Sequence, residues 1–379
     1  MAMSTSSNDS RVPGHASREG THRYAQRFAG RAAAGHFREI AGGIWAPSIG
    51  IGTYLGDPDP ATDRGYTDSL VAAVQGGINL ADSAINYRFQ RSERSVGAAI
   101  KQLLANGFSR EELILCTKAG FLTPDEEMPA EPDDYFAREY LNRQLFRVED
   151  IAQGCHCLSP AFLADQLERS RRNLGVECVD VFYLHNPETQ LQEVGREEFR
   201  QRIAAAFTLL ESAVAERKIG AYGMATWNAF REDPESPGYL SLEEMTSIAR
   251  EVAGQDHHFR FVQLPFNLAM PEALTRANQI VMGKTMAMVQ AARALGITLI
   301  SSAALLQGQL TRKLPPYVGE VLGLRSNAAL ALQFARSAPG ISTALAGMSH
   351  VEHVNANLSL VGIEPAHRDQ FLKLFGPHS

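Results

Sequence analysis

The chain has 379 residues, 45% of them hydrophobic and 21% charged, with a net charge of -6. That size suffices for one large α/β domain or for two or three smaller ones. An acidic balance excludes nucleic acid as the main partner, because a phosphate-binding surface needs a basic excess. No apolar run approaches the roughly 18 residues of a membrane span, so no membrane partner is expected. Met1 to Gly14 is Ser-rich without an apolar core, which does not fit a secretory signal and sets the expectation of a cytoplasmic protein. Four cysteines are too few for a disulfide scaffold. Cys155-His156-Cys157 is the densest ligand-like cluster, but neighbours in sequence chelate one ion poorly and no second cluster completes a tetrahedral site. It reads as part of a loop, and no metal is expected.

Residues 1–35, rich in Ser, Arg, Gly and Ala, read as a flexible arm that orders against the body or a partner. Residues 36–379 read as one barrel domain. Strands are expected at Ile49–Tyr54, Ile78–Asp82, Leu113–Lys118, Val179–His185, Gly220–Met224, Phe261–Leu264, Thr298–Ser302 and Thr343–Ala346. These are short apolar runs of the kind parallel sheets bury on both faces. Helical patterns alternate with them. Ser92 is placed to cap a helix whose Glu93 opens the first turn, with Val96, Ile100 and Leu103 on one face. Leu163, Leu167, Ser170 and Leu174 follow the helical period, as do Ile203, Phe207, Leu210 and Val214, and then Met245, Ile248 and Val252. Gly76-Gly77, Gly175 and Gly296 mark helix ends. Eight strand–helix units predict a (β/α)8 TIM barrel. A doubly wound sheet would need a Gly-rich turn after the first strand, and Gly50-Ile51-Gly52-Thr53-Tyr54-Leu55-Gly56 has the wrong spacing. Phe121 to Leu158 is a long insertion after the third strand, with a short helix expected over Tyr135–Phe146. It either shapes a substrate pocket as a lid or packs on the barrel.

Asp82, Tyr87, Lys118 and His185 stand at or just past the ends of three of these strands, where a barrel keeps its chemistry. A phenol, an ammonium, a carboxylate and an imidazole suit protonation of a carbonyl oxygen. The stretch Gly76–Gly97, with Asp82-Ser83-Ala84, Tyr87 and Ser92-Glu93, resembles the signature of the aldo-keto reductase superfamily. Lys118 and His185-Asn186-Pro187 match the rest of its catalytic set, and the resemblance runs from about Ile51 to Leu360.

The resemblance implies an NAD(P)H-dependent oxidoreductase that reduces an aldehyde or ketone. Tyr87 would be the proton donor, Lys118 would lower its pKa, Asp82 would hold the ammonium, and His185 would orient the carbonyl. A histidine at 185 favours C=O over C=C reduction. The expected cofactor contacts are Gly52, Thr53, Tyr54, Asp82, Thr226, Gln263, Ser302, Leu305, Gln307, Gly347, Ser349, His353 and Asn357. Several positions depart from the family pattern. Ala225-Thr226 replaces a Ser-Asn pair, and Ser302-Ala303-Ala304 lacks the tyrosine that stacks on nicotinamide, leaving Trp227 or Tyr54 as substitutes. His353, Gly347 and Ala356 stand where the family commonly has Arg, Lys and Glu. The cofactor expectation is NADP(H), with NAD(H) as the alternative. The partner is a small-molecule carbonyl substrate, with contacts expected from Tyr54, Asn86, Asn186 and Trp227, and further from Arg88, Phe89 and the insertion. Arg88 and Arg91 suit either an anionic substrate or neighbouring carboxylates. Two rival readings are an alcohol or sugar dehydrogenase running in reverse and a catalytically weak nucleotide-binding regulatory subunit.

Overall fold

A computed structural model describes residues 11–376. Eight parallel strands close into a barrel in chain order: β1 (Ile49–Gly52), β2 (Leu80–Asp82), β3 (Ile114–Ala119), β4 (Val179–His185), β5 (Ile219–Ala225), β6 (Phe259–Pro265), β7 (Thr298–Ser302) and β8 (Ile341–Gly347). Each lies on an expected apolar run, and most bounds shift by a residue or two. Helices pack outside: α1 (Pro60–Gly76), α2 (Arg91–Ala105), α3 (Pro160–Leu174), α4 (Arg196–Ala215), α5 (Leu242–Ala253), α6 (Met288–Leu295), α7 (Asn327–Ser337) and α8 (Val351–Leu358). The chain is thus a (β/α)8 barrel. No helix among the described residues is long and apolar enough to cross a membrane.

Local chemistry explains the helix ends. Asp59 caps α1 by accepting from Thr62 N, Ser159 caps α3, and Gly77, Gly175 and Gly296 close their helices in the left-handed conformation. Ser92 does not cap its helix. α2 begins two residues earlier, at Arg91 behind Gln90, and the Ser92 hydroxyl instead donates to Thr53 O at 2.8 Å, tying α2 to the end of β1.

The first ten residues of the expected arm lie outside the described residues. From Arg11 the chain is tied to the barrel's N-terminal end: Val12 N donates to Gly175 O, and a helix Arg18–Gln26 buries Tyr24 against Phe28 and Phe37. The insertion departs from expectation too. Its helix is Pro132–Phe136, running into a π turn at Ala137–Leu141, and a small hairpin pairs Ile151–Ala152 with His156–Cys157. Tyr140 and Phe146 pack edge-on against Phe162 of α3, so the segment is fastened to the barrel flank.

Candidate active site

Strand register gathers the polar groups at one end. Gly52 of β1 lies beside Asp82 of β2, His185 of β4 beside Ala225 of β5, and Ala225 beside Gln263 of β6. Gly347 of β8 returns beside Gly52 and closes the ring. These are the C-terminal strand ends, over which a cavity of about 730 Å³ opens. Every expected cofactor residue lines this one cavity, as do the substrate candidates Tyr54, Asn86, Asn186 and Trp227 and the catalytic Asp82, Tyr87 and His185. Lys118 stands behind the wall. Arg88 and Phe89 do not line it; the Arg88 and Arg91 guanidiniums both bind Asp63, at 2.5 and 2.6 Å. The anionic-substrate reading of those arginines therefore falls away. From the insertion only Phe121 reaches the cavity.

The Lys118 ammonium donates to Asp82 Oδ2 at 2.6 Å and to Ser83 O at 2.7 Å, and it lies 4.9 Å from the centre of the Tyr87 ring. Asp82 Oδ1 accepts from Gln263 Nε2 at 2.7 Å. Burial alone would push the ammonium's pKa down. The Asp82 carboxylate and Tyr87 outweigh it and hold Lys118 above the usual lysine value, so it stays charged. Burial raises the Tyr87 phenol above its ordinary value, with Lys118 pulling the other way. For His185, burial and then the Lys118 charge push the imidazole well below its ordinary range, so the ring is neutral at pH 7. A buried carboxylate that the sequence reading took as a helix opener and as part of the family signature also supports the site. Glu93 accepts from Thr117 Oγ1 at 2.6 Å, pinning β3 one residue before Lys118.

Aromatic rings border the reacting end: Tyr54 sits edge-on to Tyr87 at 5.0 Å, and Phe121 edge-on to His185 at 5.2 Å. Tyr54 therefore walls the Tyr87 side, and Trp227 is 40% exposed at the rim. Three cavity groups lack protein hydrogen-bond partners, Asn86 Oδ1 among them. Thr226 Oγ1 and His185 Nδ1 are buried without a hydrogen bond, which polar groups in a finished core rarely are. Gln263 spends its amide nitrogen on Asp82. A hydroxyl and an amide oxygen side by side fit a carboxamide, so the residues present suit a nicotinamide dinucleotide at this end. Further along, Gly308 turns in the left-handed region (φ 82°), and Gly347, Ser349, His353 and Asn357 close the far wall. Among the described residues, no Lys or Arg lines the cavity. Leu55, Tyr66, Thr311 and Ala328 also line it and were not anticipated. Tyr66 is on a helix, where its apolar spacing reads only as core, yet its hydroxyl reaches Leu55 O at 2.7 Å.

A closed parallel barrel with tyrosine, lysine, aspartate and histidine at its C-terminal end defines a class of redox barrel. Comparison with known proteins agrees. The chain matches the Aldo/keto reductase family over residues 48–316 and belongs to that family. It is 29% identical over 186 residues to the NADH-specific methylglyoxal reductase of Escherichia coli (strain K12), covering 48% of each chain. It is 31% identical over 193 residues to the D-threo-aldose 1-dehydrogenase of Pseudomonas sp, covering 49% of this chain and 52% of that one. The alignments thus span about half the length of these relatives. Among solved structures, the glycerol dehydrogenase of Gluconobacter oxydans superposes with TM-score 0.61 and 19% identity, over 90% of this chain and 94% of that one. The aldo/keto reductase of Klebsiella pneumoniae in complex with NADP and acetate does so with TM-score 0.60 and 17% identity, over 89% and 94%. At such identities the superpositions speak for the fold.

Proposed function

We propose that the protein is a nicotinamide-dependent carbonyl reductase acting on a small aldehyde or ketone. The observation that carries this is the buried Asp82–Lys118 pair set against Tyr87, with His185 facing the same cavity. The dinucleotide, when bound, supplies hydride to the carbonyl carbon. Thr226 and Gln263 would hold its carboxamide, while Gly52, Thr53, Leu305 and Gln307 would flank it and Gly347, Ser349, His353 and Asn357 would take the adenosine end.

Everything else is done by this chain's own groups. His185, kept neutral by burial, presents an N–H to the substrate oxygen and fixes its direction. Tyr87 gives that oxygen its phenolic proton. Lys118, charged and locked by Asp82, stabilises the phenolate left behind. The protonated resting state of Tyr87 supports reduction as the working direction near neutral pH. Oxidation of an alcohol needs the phenolate as base, so the reverse rate should climb with pH while reduction holds. The aldose dehydrogenase among the relatives keeps that reverse reading in view.

For the cofactor, the Klebsiella structure in complex with NADP supports NADP(H), and the relative named NADH-specific supports NAD(H) as the alternative. NADP(H) stays ahead on the family's habit. The test is direct. NADPH and NADH are titrated by quenching of intrinsic fluorescence, and an aldehyde panel is then turned over with the better binder. Binding without any turnover would overturn the enzyme reading in favour of a nucleotide-binding subunit.

A further inference from the structure

The Cys155-His156-Cys157 segment, which makes no metal cluster among the described residues, has a different use. His156 is fully buried in the small hairpin of the insertion. Its Nε2 lies 2.8 Å from the main-chain oxygen of His185, and its Nδ1 lies 2.8 Å from Gln190 Nε2. The proton positions follow from partners that allow no alternative. Arg202 can only donate, and its Nη1 meets Gln190 Oε1. That guanidinium is itself held by Asp150 O, Glu149 O and the Glu198 carboxylate. The Gln190 amide therefore turns its nitrogen toward His156, donating to His156 O at 3.0 Å and to Nδ1. Nδ1 must accept, so the ring proton sits on Nε2 and points at the His185 carbonyl. Burial holds His156 down to about 4, so the ring is neutral and this single tautomer persists at pH 7.

The carbonyl that His156 holds belongs to the peptide joining His185 to Asn186. β4 ends at His185, and Asn186 takes the left-handed conformation (φ 46°), outside the regular ladder. Fixing that peptide plane fixes the backbone from which the His185 imidazole and the Asn186 side chain both enter the cavity. Gly120 makes room for the bond: a Cβ there would lie 2.7 Å from His185 O and 2.8 Å from His156 Nε2. Phe121 braces both rings edge-on, at 4.9 and 5.2 Å.

We propose that His156 is a positioning residue for carbonyl reduction: its Nε2–H bond to the His185 carbonyl, set by the Arg202–Gln190 relay, aims His185 at the substrate. The insertion thus acts as a strut under the catalytic histidine rather than as a lid. The proposal rests on the reading of His185 as the group that orients the carbonyl.

The test uses the full chain with the aldehyde and cofactor on which the wild type turns over. His156→Leu and His156→Asn are expected to lower kcat by about 10- to 100-fold, the scale of a small misplacement of a reacting group. The affinity for cofactor, read by fluorescence quenching, should not change. The primary isotope effect with C4-deuterated cofactor should rise, because hydride transfer becomes more limiting. His156→Gln carries an amide N–H to the Nε2 position, which Asn does not reach, and should recover most of kcat. Wild-type kcat in the Leu and Asn variants, equal loss in all three, or loss of cofactor binding in step with kcat would each overturn the proposal. A second readout does not depend on any variant folding: 15N shifts of histidine-labelled wild type should show His156 protonated at Nε2 and bare at Nδ1. The opposite tautomer would also overturn it. A wild type inert toward all carbonyls, yet showing that tautomer, would instead defeat the reductase reading and leave the strut as geometry without a catalytic role to support.

Discussion

At the N-terminal end of the barrel Arg110 donates to Asp180 at 2.8 Å; at the C-terminal end Lys118 donates to Asp82 at 2.6 Å, and both pairs are almost wholly shielded. Their surroundings differ. Asp180 also accepts from Leu115 N and Ala16 N, and Arg110 donates to two main-chain carbonyls. That pair joins the N-terminal segment to β3 and β4 and does not line the cavity at the C-terminal end. Asp82 shares its second oxygen with Gln263 and lines the cavity, among groups such as Thr226 and His185 that lack partners of their own. The same charge chemistry closes one end of the barrel and leaves the other end poised for a ligand. Substitutions at the closed end should cost stability and spare turnover, and those at the open end should do the reverse.

The largest effect is expected from Tyr87→Phe, which removes the proton donor and little else. Carbonyl reduction should fall by about 10³-fold, within the range for loss of a general acid. Cofactor affinity and the urea midpoint should stay near wild type. A midpoint shift as large as the rate loss would mean that the open end also holds the fold together.

Asp180→Ala is the matching break at the closed end. It strands the Arg110 guanidinium in the interior and should cost about 3–5 kcal/mol of stability, as removal of one member of a buried pair does. The rate per folded molecule should not change. Asp82→Asn should show the opposite balance, with activity largely lost and a smaller shift in urea midpoint. Equal midpoint shifts for the two aspartates would erase the contrast.

These two ends were not equally legible. Val179–His185 reads plainly as a buried strand because seven consecutive residues are shielded and polar groups stand only where the strand meets another layer. His185, Lys118 and Asp82 could be picked out because a polar side chain closing an apolar run needs a reason. Asp180 sits in the same run and escaped notice, since its partners, Arg110 and Ala16 N, are 70 and 164 residues away in sequence. His156 was invisible as a support for the same reason: it touches His185 only after the insertion folds back over the strand end. The N-terminal helix at Arg18–Gln26 is short and mostly polar, and its burial depends on Tyr24 meeting aromatic neighbours that local patterning does not reveal. Periodicity reports which face of an element is buried; it does not report what that face is buried against.

A buried histidine at each end ties stability to pH. His36 lies toward the closed end between Ser48 Oγ and Gly77 O, and His156 lies under the open end; burial lowers both from near 6.5 to about 4. Below pH 6.5 the unfolded chain takes up these protons first, so stability should drop as pH falls from 6.5 toward 4. Each group accounts for roughly 3 kcal/mol across that window. Urea midpoints at neutral and acid pH should show the fall. Replacing either ring by an uncharged side chain should flatten it, and only the His156 replacement should also change kcat.

The smallest effect tests how the open end chooses its ligand. Among the described residues no Lys or Arg lines the cavity, so a 2′-phosphate near Ser349, His353 and Asn357 meets hydroxyl, imidazole and amide but no permanent cation. His353 is exposed on the first turn of α8, its ring 5.5 Å from that of His350, and among the described residues its side chain makes no hydrogen bond or ion pair. His353→Arg should therefore leave the urea midpoint alone. It should tighten NADPH by about tenfold through a charge-assisted hydrogen bond, with NADH unchanged because it has no phosphate there to meet. Equal tightening of both cofactors would place the adenosine ribose elsewhere along the wall. A loss of stability instead would show that this rim, unlike the rest of the open end, is already bonded to the fold.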